Sequence, residues 1–109
     1  MELAEIGKNI LTNCMNVKPG ENVLIVTDDE KYAIGQTLYQ AAKLLKAEAM
    51  LMTMTAREVS GQEPPAVVAA AMKAADVVIC PMKTSITHTR AKIEAAKAGA
   101  RIATMPGIT

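Results

Sequence analysis

The chain has 109 residues and a formal charge of +1, with acids and bases interspersed along it. That length makes one domain with a real core. The balanced charge, with no basic stripe and no aromatic stacking platform, argues against nucleic acid as the main partner. Half of the residues are apolar, yet Trp and Phe are absent and only Tyr32 and Tyr39 are aromatic. Bulk must then come from Ala, Val, Ile, Leu and eight Met, which read as gap-filling core rather than a cofactor box.

No run is long enough to span a membrane, and the start Met1-Glu2-Leu3-Ala4-Glu5 lacks the basic opening of a signal peptide. The expectation is a cytoplasmic protein with no membrane partner. Cys14 and Cys80 lie far apart inside apolar segments. A disulfide between them is conceivable, but two buried thiols in a reducing compartment is the better reading.

In chain order, Leu3, Ile6, Ile10, Leu11 and Cys14 fall on one helical face, predicting a helix from Leu3 to Met15. Lys18-Pro19-Gly20-Glu21 makes a turn. Asn22 to Thr27 holds the continuous apolar run Val23-Leu24-Ile25-Val26, which suits a strand buried on both faces of a parallel sheet. Thr27 and Glu30 have capping-box spacing, predicting a helix from about Asp28 to Lys46 with Ile34, Leu38, Ala41, Ala42 and Leu45 inward. Ala49 to Met54 reads as a second strand, and Thr55 to Glu63 as a polar loop. Pro64-Pro65 opens a third helix that runs to about Ala75.

Asp76 to Cys80 is the clearest strand, with Pro81 as its stop. A fourth helix is predicted from Thr87 to Ala98, ended by Gly99. Arg101 to Thr104 is the last strand, and Met105 to Thr109 leaves it. Alternating strands and helices give an α/β fold. It is an open, mostly parallel four-stranded sheet with helices on both faces, of the Rossmann/flavodoxin type. An end in a loop at the carboxyl side, with no covering helix, reads as an unfinished domain.

Open α/β sheets bind ligands beyond the carboxyl ends of their strands. Four segments qualify: residues 27–30, 55–61, 82–90 and 105–109. A phosphate cradle needs glycines that let backbone donors approach. After Val26 come Thr27 and three carboxylates, with no glycine before Gly35, so nucleotide binding there is disfavoured. These acids read as a helix cap. The segment Lys83-Thr84-Ser85-Ile86-Thr87-His88-Thr89-Arg90 collects four hydroxyls, the one histidine and two cations at a strand end and helix start. Thr84, Ser85, Thr87, His88 and Arg90 are therefore the ligand-binding or cleft-facing candidates. They suit a carboxylate or small anion, against the plainer reading of a helix cap from Ser85 or Thr87. Neither a metal-ligand set nor a Ser-His-acid arrangement is evident, so no catalytic or metal-ligating residue is assigned.

Three stretches carry a resemblance: residues 17–25 (VKPGENVLI), 57–65 (REVSGQEPP), and 85–90 (SITHTR) followed by 97–109 (KAGARIATMPGIT). Together they resemble the amino-terminal domain of the thermophilic metallo-aminopeptidase family, of aminopeptidase T and leucyl aminopeptidase type, over essentially the whole chain. The resemblance implies a longer, cytoplasmic, homodimeric enzyme that releases amino-terminal residues from peptides with two divalent metal ions. It places the metal ligands and catalytic glutamate in a following domain, so this segment is expected to be non-catalytic and to partner that domain of the same chain. The same architecture also serves ring-cleaving dihydroxypyridine dioxygenases. The other readings are a stand-alone domain for small anions or small ligands, and a dimerisation module.

Overall fold

The computed structural model describes residues 5, 8–58, 62–84 and 89–106, with the backbone alone for Ile10, Cys14 and Pro106. The elements are a π-helical turn Ile10–Cys14, β1 (Asn22–Asp28), α1 (Tyr32–Leu44), β2 (Glu48–Met54), α2 (Ala66–Ala74), β3 (Val77–Met82), α3 (Arg90–Lys97) and β4 (Arg101–Pro106). The strands form one parallel four-stranded sheet in the order β2-β1-β3-β4. The α/β class read from the sequence is the fold observed.

The two-residue period of the strands sorts the core onto two faces. Val23, Ile25, Val77 and Ile79 point to the face covered by Leu11, Met15, Ile34, Leu38, Ala41 and Ala42. Leu24, Val26, Val78, Cys80 and Met82 point to the other, under Val68, Met72, Ala91 and Ala95. The central strands β1 and β3 are thus buried on both sides, as their unbroken apolar runs require. Each of their fully buried Val and Ile side chains contributes about 1.5–3 kcal/mol, so these two strands dominate the hydrophobic stabilisation. β2 lies at the sheet margin, and Met50 on it stays 40% exposed.

Several boundaries differ from expectation, each for a local reason. The first helix appears as the π-helical turn with helical residues at Glu5, Lys8 and Asn9, while Leu3 and Ile6 lie outside the described residues. Asn16, at φ 51, turns the chain out of it, and Val17 N–H returns to the Leu11 carbonyl. The capping box at Thr27 and Glu30 does not form. β1 continues through both Thr27 and Asp28, and α1 starts only at Tyr32 with no acid in its first turn. Leu45 ends α1 as its C-cap and is half-buried.

Pro81 does not stop β3. It sits within the strand opposite Met105 of β4. The missing N–H is tolerated because the direct ladder to β1 ends at Ile25 opposite Ile79, and the Thr27 hydroxyl donates to the Pro81 carbonyl at 2.8 Å. α3 begins at Arg90 rather than Thr87. Its cap is Thr89, whose hydroxyl accepts from Lys92 N–H at 3.2 Å; Ser85 and Thr87, the expected caps, lie outside the described residues. β4 extends to Pro106, so Met105 and Pro106 belong to the strand instead of leaving it.

Candidate functional site

Strand order reverses between β1 and β3: the chain moves outward from β1 to β2, then crosses back to β3 and β4. Such a reversal opens a crevice at the carboxyl ends of the two strands, the usual ligand position in this architecture. Here the floor of that crevice is tight. Gly35 of α1 lies over Thr27, and a Cβ at Gly35 would fall 2.7 Å from both Thr27 Cβ and Cγ2. Glycine is needed so that the helix can approach the strand this closely.

Asp28, the last residue of β1, is fully buried. Its Oδ1 accepts from Glu30 N–H at 3.1 Å and Lys31 N–H at 3.0 Å, and its Oδ2 accepts from Lys83 N–H at 2.7 Å. Three backbone donors around the crevice, from the loops after β1 and β3, thus converge on a carboxylate supplied by the protein. Such convergent donors are what a phosphate or carboxylate ligand would use. Above them Lys83 Nζ pairs with Glu30 at 3.2 Å, which holds the lysine ammonium above its ordinary pKa.

The start of α3 shows the same economy. Glu63, from the loop after β2, accepts from Arg90 N–H at 2.7 Å and Ala91 N–H at 3.2 Å, and Thr89 takes Lys92 N–H. The first-turn donors of this helix, candidates for holding an anion, are therefore occupied by protein groups. Asp29 completes the pattern: its Oδ1 accepts from Ala56 N–H at 3.1 Å, joining the loop after β1 to the loop after β2. Next to this contact, Arg57 carries a buried Nε with no hydrogen-bond partner among the described residues. A buried donor left unmet is costly, which marks this corner as the place where an acceptor is missing.

Of the five candidates from the sequence, Thr84 is half-buried just past β3, and Arg90 is exposed as the first residue of α3. Ser85, Thr87 and His88 lie outside the described residues. Asp28, Asp29, Glu63 and Arg57 were not singled out as site residues. The run 28–30 signals only a cap, and nothing local to Glu63 announces partners 27 and 28 positions away.

Among the described residues, no three His, Cys, Asp or Glu side chains gather into a set fit to hold a metal ion. Asp28, Asp29 and Glu63 are instead turned onto backbone N–H groups. The family resemblance places its divalent ion pair in a following domain, and no chemical step is assigned to it here. Cys80 is a free thiol in the core, and burial pushes its pKa up to about 12, so it stays protonated and unreactive. The Cys14 side chain lies outside the described residues. An apolar groove of about 290 Å³, lined by Asn22, Leu24, Met50, Ala71, Ala74 and Ala75, lies toward the amino ends of the strands, away from the crevice. Among the described residues, no helix is long and apolar enough to cross a membrane.

No family profile matches the chain, and no curated protein does. Among solved structures, the chain is similar to 2,5-dihydroxypyridine dioxygenase from Pseudomonas putida KT2440, with a TM-score of 0.76 at 18% identity. The match covers 95% of this chain and 33% of the dioxygenase, so the chain spans about a third of that protein's length. At this identity the likeness is one of fold: a parallel α/β unit of this form occurs as a third of a larger enzyme.

Proposed function

We propose that the chain serves as the non-catalytic amino-terminal domain of a metal-dependent aminopeptidase that releases amino-terminal residues from peptides. The sequence stretches 17–25, 57–65, 85–90 and 97–109 motivate this reading. The structural observation that carries it is the state of the carboxyl end of the sheet. Its described backbone donors are spent on Asp28, Asp29 and Glu63, which leaves little for a free anion, while the buried Arg57 Nε meets no acceptor among the described residues. That combination suits a surface against which another part of a longer chain packs better than it suits a self-sufficient binding crevice.

In this reading the metal ions and the water they activate belong to the following domain. Residues Thr84, Ser85, Thr87, His88 and Arg90 line the side of the cleft that faces it, and Arg57 finds its acceptor there. The enzyme is cytoplasmic and dimeric. The test uses the full reading frame from which this segment comes, assayed on an aminoacyl p-nitroanilide with divalent metal. Activity is expected, and H88A/R90A should lower it or weaken docking between the domains. Unchanged kinetics and stability in that variant would remove the cleft-facing role; no aminopeptidase activity in the full protein would remove the reading itself.

A second reading draws on the structural neighbour: the larger enzyme is a ring-cleaving dioxygenase. The fold is compatible with it, and 2,5-dihydroxypyridine consumption in the same preparation separates the two.

A further inference from the structure

Three loops meet at the carboxyl end of the sheet, after β1, β2 and β3, and carboxylates that accept backbone N–H groups tie them to one another and to the start of α3. Asp28 joins the first loop to the third through Lys83 N–H at 2.7 Å. Asp29 joins the first to the second through Ala56 N–H at 3.1 Å. Glu63 joins the second loop to the first turn of α3 through Arg90 and Ala91 N–H at 2.7 and 3.2 Å. The ties run in series, from Lys83 to Asp28, from its neighbour Asp29 to Ala56, and from Glu63 to the first turn of α3. Within the second loop, Glu58 N–H also reaches Gln62 Oε1 at 3.3 Å, linking the side anchored by Asp29 to the side anchored by Glu63.

Hydrogen bonds to a charged acceptor are stronger than neutral ones. A connected set of them is also lost less easily than the same bonds taken singly, because each tie holds the partners of the next in place. Two of the ties are made by exposed side chains, Asp29 and Glu63, on a rim built from loops rather than from core. Segments of this kind, with few buried apolar contacts, open at free energies below that of global unfolding.

We infer that the described residues of these loops, 28–31, 55–58, 62–65, 83–84 and 89–91, form one cooperative unit that opens and closes together. The unit is a three-part rim over the strand reversal, coupled by Asp28, Asp29 and Glu63. An event at one loop, such as the docking of a neighbouring domain at Arg57, is thereby transmitted to the start of α3 without a ligand touching that helix.

Native-state amide hydrogen exchange on the chain tests this, comparing wild type with Asp29→Ala and, separately, Glu63→Ala. Asp29→Ala removes the acceptor of Ala56 alone. The expected result is exchange about tenfold faster at Ala56, and faster by a similar factor at Lys83, Arg90 and Ala91, whose own acceptors are intact. Glu63→Ala should accelerate Ala56 and Lys83 in the same way. The core amides of Val78 and Ile79 should be unchanged in both variants. Acceleration confined to the amide whose acceptor was removed would overturn the proposal, since the ties would then act independently. Equal acceleration at Val78 and Ile79 would overturn it as well, since the rim would then have no opening of its own.

Discussion

The two ends of the sheet are closed by different chemistry. At the amino end, strand starts are joined largely backbone to backbone. Asp76 and Asn22 exchange bonds, Arg101 N–H reaches the Asp76 carbonyl, Glu48 N–H the Glu21 carbonyl, and Gly20 N–H the Lys46 carbonyl. Two helices end there in the same motif. In α1, Lys46 and Ala47 N–H return to the carbonyls of Lys43 and Ala42; in α3, Gly99 and Ala100 N–H return to those of Ala96 and Ala95. Lys46 at φ 66 and Gly99 at φ 107 make the required left-handed residue. At the carboxyl end, side-chain carboxylates do most of the joining. Backbone closure builds a fixed base, and side-chain closure holds a rim that can open while that base stays in place. Function in this architecture belongs to the second kind of surface.

The largest effect is expected where the rim enters the core. Asp28→Ala strands the Glu30 and Lys83 N–H groups around a fully buried position and leaves Lys31 N–H only the Asp28 carbonyl. It should cost about 3 kcal/mol or more, a substantial share of the stability of a single domain. Asp28→Asn keeps one acceptor oxygen and should cost less. Urea unfolding of both variants checks the order; equal and small losses would mean that the rim contributes little.

Next comes the tight floor. Gly35→Ala drives a methyl against Thr27 and should cost about 1–3 kcal/mol. A stable Gly35→Ala variant would show that α1 shifts freely over β1.

The amino end gives smaller and opposite-signed effects. Lys46→Gly removes a strained left-handed lysine and should stabilise by about 0.5–1 kcal/mol, whereas Gly99→Ala, with open space around the new Cβ, should destabilise by about 1 kcal/mol. Thermal unfolding separates the two, and parallel signs would contradict the shared motif.

The smallest effect is electrostatic. Arg101→Ala loses an exposed ion pair to Glu21 and should cost about 0.5 kcal/mol. The hydrogen bond from Arg101, with that from Lys18 N–H, holds the Glu21 carboxyl below its ordinary pKa of 4.5. A lowered folded-state pKa contributes stability above the unfolded value and loses it as pH falls. The gap between wild type and Arg101→Ala should therefore be present at neutral pH and close below about pH 4.5. A gap that persists in acid would assign the loss to the Arg101 Nε bond to the Met15 carbonyl.

How much was legible in the sequence follows the same division. The apolar runs 23–26 and 77–80 announce doubly buried strands because that information is local and periodic. Gly99 announces a helix stop because only glycine is comfortable there. Lys46 in the same role is silent, since its conformation is imposed by the return of the chain into β2. Pro81 reads as a stop and is not one, because its missing donor falls past the end of the ladder to β1, while its carbonyl accepts from a hydroxyl 54 positions away. The acids at 28–30 read as a cap for the helix that follows, but two of them bind loops from elsewhere. Pairings across the carboxyl end depend on which strands become neighbours, and no local pattern encodes that.

The most direct test of whether this end is closed by its own carboxylates is a ¹H–¹⁵N titration of the chain with inorganic phosphate and with a free amino acid, followed at the Lys83, Arg90 and Ala91 amides. With these donors already bound to Asp28 and Glu63, the signals should stay in place into the millimolar range. Saturable movement of the three together would contradict the account and make the rim an anion site.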